Sequence, residues 1–263
     1  MDEPCLVVAA SGDEARDEAI RILLDGGATG VEVAPSLLFA DPATASTQEI
    51  HAARASFQAA GLPVVAMQAL LFNRPQLKLF GSPAQRESLL QHLHTMAQLA
   101  AGLGATVLVF GSPKNRNINT NQEEIAVAYF SEIGKYAAEK NTVFAIEPNP
   151  VIYGTNFINT TNEALDFVKA CNVEGLKVNF DLGTVIYNEE SLAFLENNLK
   201  WINHIHISEP YLETIQKRSL HNELASILRK EKYDNYISIE MKSGSEIEKI
   251  KDIIEYTQDV FKN

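Results

Sequence analysis

The chain has 263 residues, 46% of them apolar and 21% charged, an ordinary globular composition with enough apolar material for a large core. A formal net charge of −12 argues against nucleic acid as a partner, which needs a basic face, but leaves room for a small anionic substrate held by a few local cations. Two cysteines (Cys5 and Cys171), an acidic N-terminal stretch unlike a signal peptide, and no run approaching the ~18 apolar residues of a membrane span predict a reduced cytoplasmic protein with no membrane partner.

Short β-rich apolar runs alternate with helical patterns from one end to the other. CLVVAA (5–10) precedes a helical pattern over 12–27, and GVEVA (30–34) precedes TQEIHAARASFQAAG (47–61). LPVVAMQ (62–68) leads to QRESLLQHLHTMAQLAAGLG (85–104), and TVLVFG (106–111) to EEIAVAYFSEIGKYAAEK (123–140). NTVFAIEP (141–148) is followed by NEALDFVKAC (162–171), and LKVNFD (176–181) by SLAFLENNLK (191–200). IHIS (205–208) precedes LHNELASILRKEK (220–232), and YISIEM (236–241) precedes SEIEKIKDIIEYTQ (245–258). Several of the helical patterns place apolar residues three and four apart, with acidic residues in the first turn.

Strict alternation means parallel strands joined by helical crossovers. No Gly-rich dinucleotide fingerprint follows the first strand. The expectation is therefore an α/β fold, a closed (βα)8 TIM barrel of eight parallel strands in one domain, rather than an open doubly wound sheet.

Composition changes abruptly halfway along. Before Lys114 there is one lysine and one asparagine against 21 alanines; from Lys114 onward there are 13 lysines, 18 asparagines and 9 alanines. The change falls in GSPKNRN, at the midpoint of an eightfold barrel. It predicts two half-barrels of different parentage, 1–113 (strands one to four) and 114–263 (strands five to eight), joined near residues 111–117. Such a chimera would fold and yet be inactive if its halves met slightly out of register.

In a parallel barrel the C-terminal strand ends converge on one mouth. Glu32 lies on the second strand and Gln68 ends the third. Glu147 ends the fifth, Asp181 the sixth and Glu240 the eighth, while His206 lies on the seventh. A single glutamate at a strand end is most simply a helix cap or a surface ion pair. Three carboxylates and an imidazole at one mouth repel or desolvate one another unless a cation sits between them. Oxygen ligands with one nitrogen suit Mn²⁺, Mg²⁺ or Co²⁺ better than a structural Zn²⁺.

FAIEP, FDLGT, HIHISE and SIEMK, in this order and spacing, resemble the xylose-isomerase-like barrel superfamily, in its sugar (phosphate) isomerase/epimerase branch. The resemblance implies one divalent ion held by Glu147, Asp181, His206 and Glu240. It also implies proton transfer beside a carbonyl through an enediolate that the ion stabilises, with Glu147 and Glu240 as acid and base on a small sugar-like substrate. Barrels of this kind often pair, so a homodimer is allowed. Two positions depart from the ketose 3-epimerase pattern: Thr184 stands where a histidine is common and Leu212 where an arginine is common. A lyase such as a keto-inositol dehydratase would start in the same way. An abasic-site endonuclease would need three zinc ions and more histidines than these six.

Further substrate contacts are expected from Glu32 and Gln68, from Lys114 and Arg116 in GSPKNRN, and from Asn149 and Tyr153 in NPVIYGTNF. His204 shares a strand face with His206 and is read as a polar support beneath it. His51, His92 and His94 are read as structural or solvated, His221 as uncertain, and Trp201 as packing at the start of the seventh strand.

Overall fold

Eight parallel strands close into one barrel in sequence order, as the alternation predicts. The computed structural model describes residues 5–7, 13–119, 122–242 and 247–262. The first half runs β1 (Cys5–Val7), α1 (Asp13–Asp25), β2 (Val31–Val33), α2 (Pro35–Leu38), α3 (Thr47–Ala59), β3 (Val64–Met67), α4 (Pro83–Leu103) and β4 (Val107–Phe110). The second runs α5 (Glu123–Glu139), β5 (Val143–Ile146), α6 (Thr161–Cys171), β6 (Leu176–Asp181), α7 (Leu182–Asn188), β7 (Ile202–Ile207), α8 (Ser219–Lys230), β8 (Ile237–Ile239) and α9 (Ile247–Phe261). Closure comes at β1, where Leu6 is in register with Val31 of β2 on one side and Ile239 of β8 on the other. Among the described residues no helix is long and apolar enough to cross a membrane.

Local chemistry sets the helix starts. Ser46, Ser82 and Thr160 each accept a hydrogen bond from the backbone of the third residue of α3, α4 and α6, and the Glu49, Gln85 or Glu163 side chain accepts one from the cap's own N–H. One expectation fails. The helix predicted over 191–200 is two short 3₁₀ turns, Leu192–Asn197 and Leu199–Trp201, and Trp201 closes the second turn instead of starting β7. The α-helix of this repeat comes earlier, because Asp181 caps α7 directly at the strand end.

Period-two alternation divides the barrel wall. Phe144 and Ile146 of β5 belong to the large core between sheet and helices, whereas Ala145 packs inside with Val65, Ala66, Val107 and Val109. Strands β3 to β5 thus fill one side of the interior with small apolar groups. The other side is polar, from Glu32, Asn179, His204, His206 and Ser238, all fully buried. Register shifts fall between Val31 and Glu32 and between Val178 and Asn179, each beside one of these inward polar residues.

Behind the fourth and fifth strands, Phe80, Phe157, Phe167, Phe130 and Phe110 form a chain of edge-to-face contacts with centroids 5.0–5.6 Å apart. It joins residues on both sides of the compositional boundary through one continuous core.

Candidate metal centre

The strand ends deliver four of the predicted side chains to one point. Glu147, Asp181, His206 and Glu240 each place a ligand atom within 4.8 Å of the others. Backbone N–H groups of Glu147 and Glu240 donate to Phe110 and Ile207, so both residues continue the ladder just past β5 and β8. Asp181 and His206 stand in register on β6 and β7.

His206 is held from below. Its Nε2 lies 3.1 and 3.2 Å from the two carboxylate oxygens of Glu32, and His204 Nε2 lies 2.8 Å from Glu32 Oε2. A carboxylate only accepts, so both imidazoles present a Nε2–H to it. That leaves His206 Nδ1 facing the mouth, 3.2 Å from Glu147 Oε1 and 3.2 Å from Glu240 Oε2, with no well-aligned hydrogen bond among the described residues. Glu32 is fully buried, so it carries the histidines and does not touch substrate as its position on β2 suggested. His204 supports it, as expected.

Electrostatics show the strain of this crowd. Burial raises the Asp181 pKa, and the charges of Glu147 and Glu240 push it further, up to about 7. Burial alone would lower the His206 pKa, but Glu32 and then Glu240 outweigh it and hold the imidazole cationic well above its ordinary range. For Glu32, burial works against ionisation, and His206 and His204 overcome it and keep the carboxyl charged far below its usual range. A buried nitrogen without a hydrogen-bond partner, surrounded by three carboxylates, fits a divalent ion with oxygen-rich coordination.

Two neighbours fix Asp181. Oδ1 accepts from the Thr184 backbone N–H at 2.6 Å and from Thr184 Oγ1 at 2.8 Å, and Oδ2 accepts from Ser208 Oγ. Thr184, where a substrate-contacting histidine is common, is buried and serves the carboxylate. Asn179 Nδ2 donates to Glu147 Oε1 at 2.9 Å, and Asn149 Nδ2 to Glu147 Oε2 at 2.9 Å.

Above the cluster opens a cavity of about 230 Å³. Its walls include Gln68, Asn149 and Tyr153, three of the residues expected to touch substrate, and also Val109, Leu212 and Glu209. Glu209 is tied by two short bonds to Arg218, at 2.7 and 2.6 Å. Tyr211 and Leu212 both have left-handed backbone (φ 62° and 53°), and the Tyr211 N–H donates to Tyr153 Oη at 2.7 Å. Such backbone in successive non-glycine residues is held only where surrounding structure imposes it.

Two predicted substrate contacts lie elsewhere. Lys114 is exposed on a neighbouring cleft with Asn73 and Arg74. Arg116 is 1% exposed and reaches the site only through Asn149, because its loop turns inward after the Pro113–Asn115 turn. Among the other histidines, His92 bonds the Leu70 carbonyl, His94 stacks on Tyr136, and His221 is buried against Tyr256. The sequence reading missed Asn179 and Ser208. Both lie two residues from a ligand on β6 or just past β7, so the same alternation that pointed to Asp181 and His206 could have found them.

Residues 20–262 match the family described as xylose isomerase-like TIM barrel. No curated protein sequence matches the chain. Among solved structures, D-psicose 3-epimerase from Clostridium cellulolyticum H10 superposes with a TM-score of 0.78 at 16% identity, covering 98% of this chain and 99% of that one. The 3-keto-D-glucoside 4-epimerase of E. coli gives 0.77 at 18%, covering 98% and 100%. L-Ribulose 3-epimerase gives 0.79 at 13%, covering 98% and 93%. At these identities the likeness establishes a shared fold.

Proposed function

The chain belongs to the xylose isomerase-like TIM barrel family, and from that premise we propose that it is a divalent-metal-dependent isomerase or epimerase of a small sugar. The observation that carries this reading is the four-residue cluster around the unpartnered His206 Nδ1 at the floor of an open cavity. Glu147, Asp181, His206 and Glu240 would hold one ion, Mn²⁺, Mg²⁺ or Co²⁺ by the oxygen-rich donor set. When bound, that ion would supply Lewis-acid stabilisation of negative charge on substrate oxygens.

The chain's own residues do the rest. Glu147 and Glu240 each place one oxygen 3.2 Å from His206 Nδ1, so the second oxygen of each, which in Glu147 also accepts from Asn149, keeps a lone pair to take or give a proton at a carbon between them. Two bases on separate strands suit removal of a proton on one side and its return on the other. Gln68 and Tyr153 line the space that holds the substrate. At about 230 Å³ the cavity is smaller than the ~300–1,000 Å³ of drug-sized ligands. Among the described residues no lysine or arginine lines it, which favours an uncharged sugar over a sugar phosphate.

The neighbours named above as epimerases act on comparable small carbohydrates, and this supports the same substrate class. We further propose that the protein works in the cytoplasm, where Cys171 stays a free thiol, that two copies pair, and that residues 1–113 and 114–263 derive from different parents. Proton NMR in D₂O with a panel of ketoses and Mn²⁺ tests the function. Deuterium entering at the carbon beside the carbonyl without loss of water supports it. Release of water shows a lyase instead, and no exchange with any ketose overturns the reading.

A further inference from the structure

We infer that Arg116 and Asn149 form a positioning relay that aims one oxygen of Glu147 into the substrate cavity, a role that rests on the proton-transfer function proposed above. Both residues look like substrate contacts in the sequence; the structure stacks them one behind the other, with Asn149 on the cavity wall and Arg116 behind it. Arg116 is absent from the cavity wall, and its Nη2 donates to Asn149 Oδ1 at 2.8 Å and to the Ile158 carbonyl at 3.4 Å. Asn149 Nδ2 then donates to Glu147 Oε2 at 2.9 Å.

The direction of this chain follows from the chemistry of arginine. A guanidinium has five N–H donors and no acceptor, so the Asn149 atom that faces it must be the carbonyl oxygen. The amide nitrogen is thereby turned to Glu147. Without Arg116 only the Glu147 carboxylate would favour that orientation, and Oδ1 would be left without the guanidinium that anchors it. The Asn149 backbone cannot move to compensate. Its N–H donates to the Ile158 carbonyl at 3.1 Å, and its own carbonyl accepts from Asn159 Nδ2 at 2.8 Å.

The two oxygens of Glu147 are held by different donors. Asn179 holds Oε1, the oxygen beside His206 Nδ1, while Asn149 holds Oε2. One carboxylate can therefore serve the ion and the substrate at once without rotating between them. Gly111 makes room: a Cβ there would collide with Glu147 Oε2 and lie 3.3 Å from Asn149 Oδ1.

Stability gives no reason to keep this arginine. Among the described residues no carboxylate is in ion-pair contact with it, and its Nε and Nη1 are buried with no hydrogen-bond partner. A buried charge so poorly paired is costly, and an apolar side chain of similar length would suit the site better. Its one strong bond is the one that orients Asn149.

Four variants test the relay: Arg116→Met, Arg116→Lys, Asn149→Ala and Glu147→Gln as reference. Melting first establishes that each folds, and Mn²⁺ calorimetry that the Arg116 and Asn149 variants still bind the ion. Arg116→Met and Asn149→Ala are expected to lower kcat for ketose proton exchange about 10- to 100-fold, the usual effect of residues that orient a metal ligand. KM and Mn²⁺ affinity should change by less than about threefold, and Arg116→Lys, which can still donate to Oδ1, should recover most of the rate. A second readout needs no turnover. In ¹H–¹⁵N spectra the Asn149 side-chain amide pair, identified by its loss in Asn149→Ala, should shift and exchange faster with water in Arg116→Met. A wild-type kcat with an unmoved amide pair in Arg116→Met overturns the relay. If the wild type turns over no ketose, the proposed function fails, and the amide readout alone decides whether Arg116 orients Asn149.

Discussion

Replacing Asp181 by asparagine should stabilise the metal-free protein. Burial and the charges of Glu147 and Glu240 raise the Asp181 pKa to about 7, against 3.8 for the free side chain. Between those values the folded chain binds a proton that the unfolded chain releases, so folding grows less favourable as pH rises through the window. The difference corresponds to a ceiling of about 4 kcal/mol, fully present above pH 7 and absent below about pH 4. Asparagine keeps the contacts. Its Oδ1 can accept from Thr184 as the carboxylate does, and its amide can donate to Ser208 Oγ, where the carboxylate accepted. It is also a good helix N-cap for α7. If half the ceiling is realised, about 2 kcal/mol, Tm rises by about 4–8 °C. Melting in chelator from pH 4 to pH 8 should show the two proteins alike at pH 4 and the variant ahead at pH 8. Added Mn²⁺ should reverse the order, because only the wild type gains strongly from binding. A variant no more stable than wild type at pH 8 in chelator would show that the carboxylates do not repel one another as described.

Three further outcomes follow from the geometry. Glu147→Gln and Glu240→Gln should each lower proton exchange about 10²- to 10⁴-fold while the barrel melts normally, as expected for loss of an acid–base group. Glu32→Gln should weaken Mn²⁺ binding about 10- to 100-fold in calorimetry at pH 8, because one amide oxygen replaces the two carboxylate oxygens that accept from Nε2–H of His204 and His206 and turn His206 Nδ1 to the ion. Gly111→Ala should leave Tm within a few degrees but cut turnover about 100-fold, since displacing Glu147 by about 1 Å misaligns the base.

The barrel and the four-residue cluster at its mouth were legible in the sequence because both depend on short-range rules. Parallel strands and helical crossovers leave a period that survives without any partner information. A lone carboxylate at the end of an apolar run, as in VFAIE and VNFD, marks the barrel mouth by topology alone. The roles of Glu32 and Arg116 were not legible for the same reason. Glu32 joins His206 across the barrel, from β2 to β7, with the register shift beside it on β2. Strand pattern says nothing about which inward side chains meet. Arg116 lies in a polar loop that reads as solvated, yet the chain folds it under Asn149, where a single hydrogen bond decides its function. The helix expected at 191–200 failed because Asp181 both ends a strand and caps a helix, which moves the helical turn upstream.

Titration of chelator-stripped wild-type protein with Mn²⁺, with His206→Ala alongside, is the most direct test of the centre. One ion should bind per chain, with proton release from Asp181 and His206 at pH 7, and His206→Ala should bind none. Absence of heat and of any shift in Tm in the wild type with Mn²⁺, Co²⁺ or Mg²⁺ would mean that the four side chains form a buried polar cluster and not a metal site.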